Sequence, residues 1–187
     1  EIAADGAAWK TAVPAGKSSP VLWGDRMFLT GVEGQRLVTL ALDAGSGEVL
    51  WMRQAPEVAL ERMHQANSPA ASTPCADAER VYVYFGSYGL LCYDHAGHEL
   101  WTKPIATPKN LYGVATSPIV HEGRVILVLD DDADLPGSKL SRSKVMALDG
   151  ETGEVAWETP RPYNRGVWTT PMIWRYEGGA DLVVLGN

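Results

Sequence analysis

The sequence predicts an all-β chain, a β-propeller of four-stranded antiparallel blades. Two repeated features carry that prediction. The segment from Ala41 to Trp51 recurs from Cys92 to Trp101 and from Ala147 to Trp157. Each copy reads small, apolar, Asp, turn residues, Gly, polar, any residue, apolar, Trp. Upstream of the copies, a hydroxyl residue followed by proline recurs at Ser19-Pro20, Thr73-Pro74, Ser117-Pro118 and Thr170-Pro171. Short apolar runs follow these pairs, such as Arg80 to Phe85 and Arg124 to Leu129. They are rich in β-branched and aromatic residues and bounded by turn formers, which is the pattern of strands. Counting Trp9, the tryptophans recur about every 40 to 55 residues, the length of one blade. No stretch reads as an amphipathic helix.

Taken in order, Trp9-Lys10-Thr11 reads as the last strand of an earlier blade, within a partial blade over 1–12. Full blades are expected over 18–54, 71–103 and 115–159. Residues 169–187 give the first two strands of another. Three full and two partial blades would leave sheet edges exposed at both ends, so the chain reads as part of a larger ring. Within the repeat, Asp43, Asp94 and Asp149 accept backbone N–H groups in the turn. Gly47, Gly97 and Gly153 supply the positive φ that a tight hairpin requires. Trp51, Trp101 and Trp157 each offer a large apolar face to the neighbouring blade and an indole N–H to a backbone carbonyl. The small residues Ala41, Cys92 and Ala147 leave room for those rings. Trp23 and Trp174, in or beside first strands, are expected in the core.

Composition narrows the function. Net charge is −7, and no Lys/Arg cluster forms the basic face a nucleic-acid binder needs. No apolar stretch is long enough for a transmembrane helix. The opening Glu1-Ile2-Ala3-Ala4-Asp5 is acidic and shows no signal peptide. Cys75 and Cys92 have no metal-type spacing and read as buried free thiols.

The pattern Ala-x-Asp-x-x-Thr-Gly-x-x-x-Trp, met in full from Ala147 to Trp157, resembles the tryptophan-docking repeat of the pyrroloquinoline-quinone-like propellers. Ser46 replaces the Thr in the first copy, and the second copy is shorter with Ala96 there. That superfamily includes quinoprotein alcohol dehydrogenases and the outer-membrane assembly scaffold BamB. His64-x-x-Asn67-Ser68, Ala71 to Pro74, Arg80 to Gly86 and Gly89 to Asp94 are similar to a bacterial group of BamB-like repeat proteins. The resemblance implies an eight-bladed ring in the periplasm or otherwise outside the cytoplasm, with no settled activity.

Propeller topology puts the outer-to-inner link and the link between strands two and three on one face. The long segments Arg53 to Ala70, Lys103 to Thr116, Asp130 to Ser143 and Pro160 to Trp168 all fall there, and the opposite turns are short. Long loops carry function more often than tight turns. The candidate binding residues on that face are His64, Asn67, Tyr112, Arg161, Arg165 and Trp168, expected to meet a protein or small-molecule ligand. His64 has a second reading as a cap of its own loop, and the arginines as partners of nearby acids. Asp130, Asp132 and Asp134 have the opening spacing of a calcium loop, but Leu135 and Ser141 replace the Gly and Glu that an EF-hand requires. No triad, phosphate loop or metal spacing appears, and the four histidines are scattered. The expected function is a non-catalytic binding or scaffold propeller without cofactor. The alternative implied by the resemblance is a dehydrogenase using pyrroloquinoline quinone with calcium, although the Cys-Cys pair common in those enzymes is missing.

Overall fold

A computed structural model describes residues 6–166 and 168–186. Its strands form three four-stranded antiparallel sheets and one two-stranded sheet, each in sequential order. The first holds β1 (Val21–Trp23), β2 (Arg26–Glu33), β3 (Arg36–Asp43) and β4 (Val49–Gln54). The second holds β5 (Cys75–Ala76), β6 (Arg80–Phe85), β7 (Gly89–Asp94) and β8 (Glu99–Pro104). The third holds β9 (Ile119–His121), β10 (Arg124–Leu129), β11 (Lys144–Asp149) and β12 (Val155–Pro160). The last pairs β13 (Met172–Tyr176) with β14 (Gly179–Val183). Among the described residues there is no helix.

The sheets stack face to face, and strand alternation supplies both faces. On β6, Val81, Val83 and Phe85 pack with Phe28, Ala41 and Trp51 of the first sheet. The intervening Tyr82 and Tyr84 pack with Val125, Leu127, Met146 and Leu148 of the third. Ile126, Val128, Val145 and Ala147 turn the other way, toward Ile173, Leu182 and Val184. Because the middle strands are covered on both sides, they read as continuous apolar runs.

Each repeat ends in the same joint. Trp9, Trp51 and Trp101 donate their indole N–H groups to the carbonyls of Ala44, His95 and Gly150, each at 3.0 Å. The accepting residue in each case directly follows the repeat Asp. A Cβ at Gly97 would lie 2.7 Å from the Trp51 ring, and one at Gly153 2.7 Å from the Trp101 ring. Glycine therefore serves the positive φ and the approach of the neighbour's indole together. Asp43 Oδ1 accepts from the Gly45 and Ser46 N–H groups, and the Ser46 donation holds its carboxyl below the usual value. A register shift recurs at one point of each repeat, between Ala41 and Leu42, Cys92 and Tyr93, and Ala147 and Leu148. That bulge accommodates the turn and was not expected.

The hydroxyl-proline pairs also join the sheets. The Ser19 N–H donates to Thr73 Oγ1 at 3.0 Å, and the Thr73 N–H donates to Ser117 Oγ at 2.9 Å. These bonds tie the segments leading into β1, β5 and β9, where proline has no N–H to give.

Trp9 docks through its indole as the repeat predicts; Trp9 to Thr11 pair with no strand among the described residues, and residues 1–5 of that partial blade lie outside them. One expectation is corrected. Trp23 and Trp174 are 42% and 58% exposed rather than core. On β13 the alternation turns Ile173 inward against the third sheet, which leaves Trp174 on the uncovered face.

Candidate functional site

The segments 55–74, 105–118, 130–143 and 161–171 leave the strands at one end of the sheets and bond to one another. Asn67 reaches from the first to the second: its Nδ2 donates to Tyr112 O at 2.9 Å and to Val114 O at 3.3 Å. Trp168 reaches back from the fourth, its indole N–H donating to Gly113 O at 3.0 Å. The Tyr112 ring lies between the other two, 5.3 Å from His64 and 5.4 Å from Trp168. His64, Ala66, Asn67, Tyr112, Ala115 and Trp168 together line an open groove of about 480 Å³ with mainly apolar walls. His64 Nδ1 accepts the Ala66 N–H at 3.1 Å, so the cap of its own loop and the groove wall are the same residue.

The two arginines do different work. Arg161 Nη1 meets both oxygens of Asp130, at 2.9 and 2.8 Å. Both side chains are buried, with 11% and 1% exposure. Burial pushes the Asp130 carboxyl up to about 6, and the Arg161 guanidinium pulls it back. Arg165 Nη2 donates to Asp134 Oδ1 at 2.7 Å and to Lys139 O at 2.8 Å, and its Nη1 donates to Asp132 O. The arginines pin the loops; they do not line the groove.

The same bonds decide whether the acidic run fits calcium. Asp130 faces Arg161, Asp134 faces Arg165, and Asp132 Oδ1 accepts the Gly166 N–H at 2.8 Å. Their alternate spacing is spent on three separate partners. Among the described residues, no group of three or more His, Cys, Asp or Glu is placed to hold a metal ion. Cys75 and Cys92 sit on β5 and β7, either side of Tyr82, with burial raising both thiols. Among the described residues, Asp130, Asp132 and Asp134 are held by these separate partners and are not arranged around one cation.

One residue at this face was not anticipated. Glu61 lines a second hollow, of about 560 Å³, with Arg62, Lys109, Asn110, Leu111 and Asp132. Its Oε2 accepts the Val114 N–H at 3.2 Å, and its own N–H donates to Ser87 Oγ at 3.0 Å. Its Oε1 is buried without a hydrogen-bond partner. Nothing in the local sequence marks this glutamate, because its burial is made by loops from two blades.

The family model described as outer membrane protein assembly factor BamB matches residues 2–129. The chain belongs to that family. It is also similar to enzymes that share the propeller repeat. Quinohemoprotein alcohol dehydrogenase ADH IIB of Pseudomonas putida is 27% identical over 192 residues, covering 89% of this chain and 25% of the enzyme. Quinoprotein alcohol dehydrogenase PedH of Pseudomonas putida (strain KT2440) is 24% identical, over 77% of this chain and 23% of the enzyme. The crystal structure of quinohemoprotein alcohol dehydrogenase from Comamonas testosteroni matches with a TM-score of 0.53 at 21% identity. That match covers 79% of this chain and 21% of the enzyme, and shows a shared fold. The chain spans about a quarter of the length of the curated relatives. Among the described residues of this BamB-family chain, no helix is long and apolar enough to cross a membrane.

Proposed function

We propose that this chain belongs to a non-catalytic scaffold propeller acting outside the cytoplasm, with the long-loop face as its binding surface for a protein or small-molecule ligand. The observation that carries the reading is the division of labour on that face. The arginines and aspartates are spent tying loops together, while Leu111, Tyr112, Tyr163 and Trp168 stand at 77%, 47%, 83% and 45% exposure. Exposed apolar and aromatic side chains grouped on one face mark interaction surfaces. Membership of the BamB family supports the scaffold role and the extracytoplasmic location. On this reading the residues of the chain supply contact area and no reacting group.

The alcohol dehydrogenase relatives favour a second reading, an enzyme using pyrroloquinoline quinone. Titrating the protein with that quinone, with and without calcium, separates the two through tryptophan fluorescence. The scaffold reading expects no saturable change; saturable quenching that depends on calcium would replace it with the dehydrogenase. A positive test of the surface uses Leu111→Asp. At a position 77% exposed on the loop face, it should abolish binding of a partner purified from the cell envelope and leave the melting temperature unchanged. Undiminished binding would remove this face from the interface.

A further inference from the structure

The two ends of the sheets differ in charge. The short turns 24–25, 44–48, 77–79, 95–98, 122–123, 150–154 and 177–178 carry aspartates and glutamates and no Lys or Arg. At the loop end, every acid of the four long segments is spent inside the protein. Glu57, Asp130 and Asp134 pair with Arg36, Arg161 and Arg165. Glu61, Asp131 and Asp132 accept the N–H groups of Val114, Lys109 and Gly166. The cations beside the groove are not spent in that way. Among the described residues, Lys17, Arg62 and Lys109 form no ion pair, and all three are exposed.

Their places follow the groove. The Lys17 ammonium donates to the Ala66 carbonyl, and Ala66 lines the groove. Arg62 and Lys109 line the neighbouring hollow with Asn110 and Leu111, and the next residue, Tyr112, lines the groove. The groove itself is lined by no charged residue. An uncharged aromatic groove thus has one unpaired cation at its lip and two more in the adjoining hollow.

We propose that the occupant of this groove is an acidic peptide segment of a partner protein, anchored by one aromatic or large aliphatic side chain. His64, Tyr112 and Trp168 take the anchor, which leaves no buried charge of the groove to be desolvated. The walls are already braced: Asn67 and Trp168 bond the backbone of the 112–114 stretch, so little ordering opposes binding. Carboxylates beside the anchor meet Lys17, Arg62 and Lys109, which have no acid to give up first. Charges at a rim set the sign of the partner and its rate of association. The acidic turns repel the same segment from the other end, which orients its approach. Three dispersed cations suit a short acidic segment; a polyanion requires a longer basic stripe.

The inference deepens the reading of the loop face as a binding surface and rests on it. Its test uses a fluorescein-labelled serine peptide with one phenylalanine between two pairs of glutamates. Fluorescence anisotropy measures its affinity, and NMR of the Trp168 indole N–H locates it. The peptide should bind with a Kd of about 1 mM or tighter, shift the Trp168 signal, and weaken as salt rises from about 0.05 to 0.5 M. Lys109→Glu and Arg62→Glu, both at exposed positions, should each weaken it about threefold to tenfold. Alanine in place of the peptide's phenylalanine should cost about tenfold or more, and lysines in place of its glutamates should remove binding. Absence of saturable binding overturns the proposal. So does equal binding of the lysine or the alanine peptide, or a Trp168 signal that stays still at saturation. Broadening of that signal with protein concentration and no peptide would make a second copy the occupant and overturn it too. If the glutamate peptide fails while Leu111→Asp still abolishes binding of the envelope partner, the binding face stands and the acidic occupant falls.

Discussion

Trp51→Ala is expected to lose about 3–5 kcal/mol of folding free energy, the range for deleting a buried aromatic. The ring is 7% exposed, packs 6.0 Å from Phe28 and 5.8 Å from Tyr93, and crosses from one sheet to the next. Its indole N–H also satisfies the His95 carbonyl. Trp157→Ala removes the same residue from the same point of its repeat, but that ring is 37% exposed, so it should cost roughly half as much or less. Urea unfolding with the slope held constant measures both. A Trp51 loss within about 0.5 kcal/mol, the range of surface substitutions, would mean the indole does not hold the sheets together. The joint can be dissected further with Gly97→Ala, which strains a φ of +83° and drives a methyl into the Trp51 ring. In the Trp51→Ala background only the backbone strain remains, so the two costs should add to more than the double variant shows.

That joint was legible in the sequence because everything it needs is local. An Asp that binds the turn, a Gly that turns it and a Trp four residues on are readable as a string, and their repetition sets the blade length. The sides of the strands were less legible. Trp174 looks like a core residue because it is a large ring in a strand, yet burial depends on which face of the sheet is covered, and that is not a property of the strand. The acidic run shows the same limit. Alternate carboxylates suggest a shared cation only when the chain curls around one centre. Here Arg161, Arg165 and the Gly166 N–H arrive from a segment some thirty residues later and draw the three aspartates apart. Glu61 was invisible for the converse reason: its carboxylate is enclosed by Gly86 and Val114 from outside its own segment, and no spacing within 55–70 encodes that. His64 and Tyr112 were found only as members of the same face, and their contact at 5.3 Å is a product of tertiary structure.

Arg161→Ala should be the most damaging change on the loop face, at about 3–5 kcal/mol near neutral pH, the cost of leaving a buried charge without its partner. The argument lies in Asp130, whose side chain is 1% exposed and whose two oxygens both face the guanidinium. Even with that partner, burial raises its carboxyl to about 6 against an ordinary 3.8. The folded chain therefore binds more protons than the unfolded one between those values, and this group's contribution to stability falls as pH rises across that window. Removing Arg161 takes away the opposing pull, lifts the folded-state value further and carries the falling window above pH 6. The penalty of Arg161→Ala should accordingly be larger at about pH 8 than at about pH 5, where Asp130 can take a proton and become neutral. Adding Asp130→Asn removes the stranded charge, so the double variant should recover part of the loss and show no such pH dependence. Chemical denaturation of the wild type and both variants at the two pH values tests this. An Arg161→Ala penalty equal at both would mean that Asp130 is not the group being stranded, and that the arginine acts instead through the Leu185 carbonyl it also reaches, at 2.6 Å.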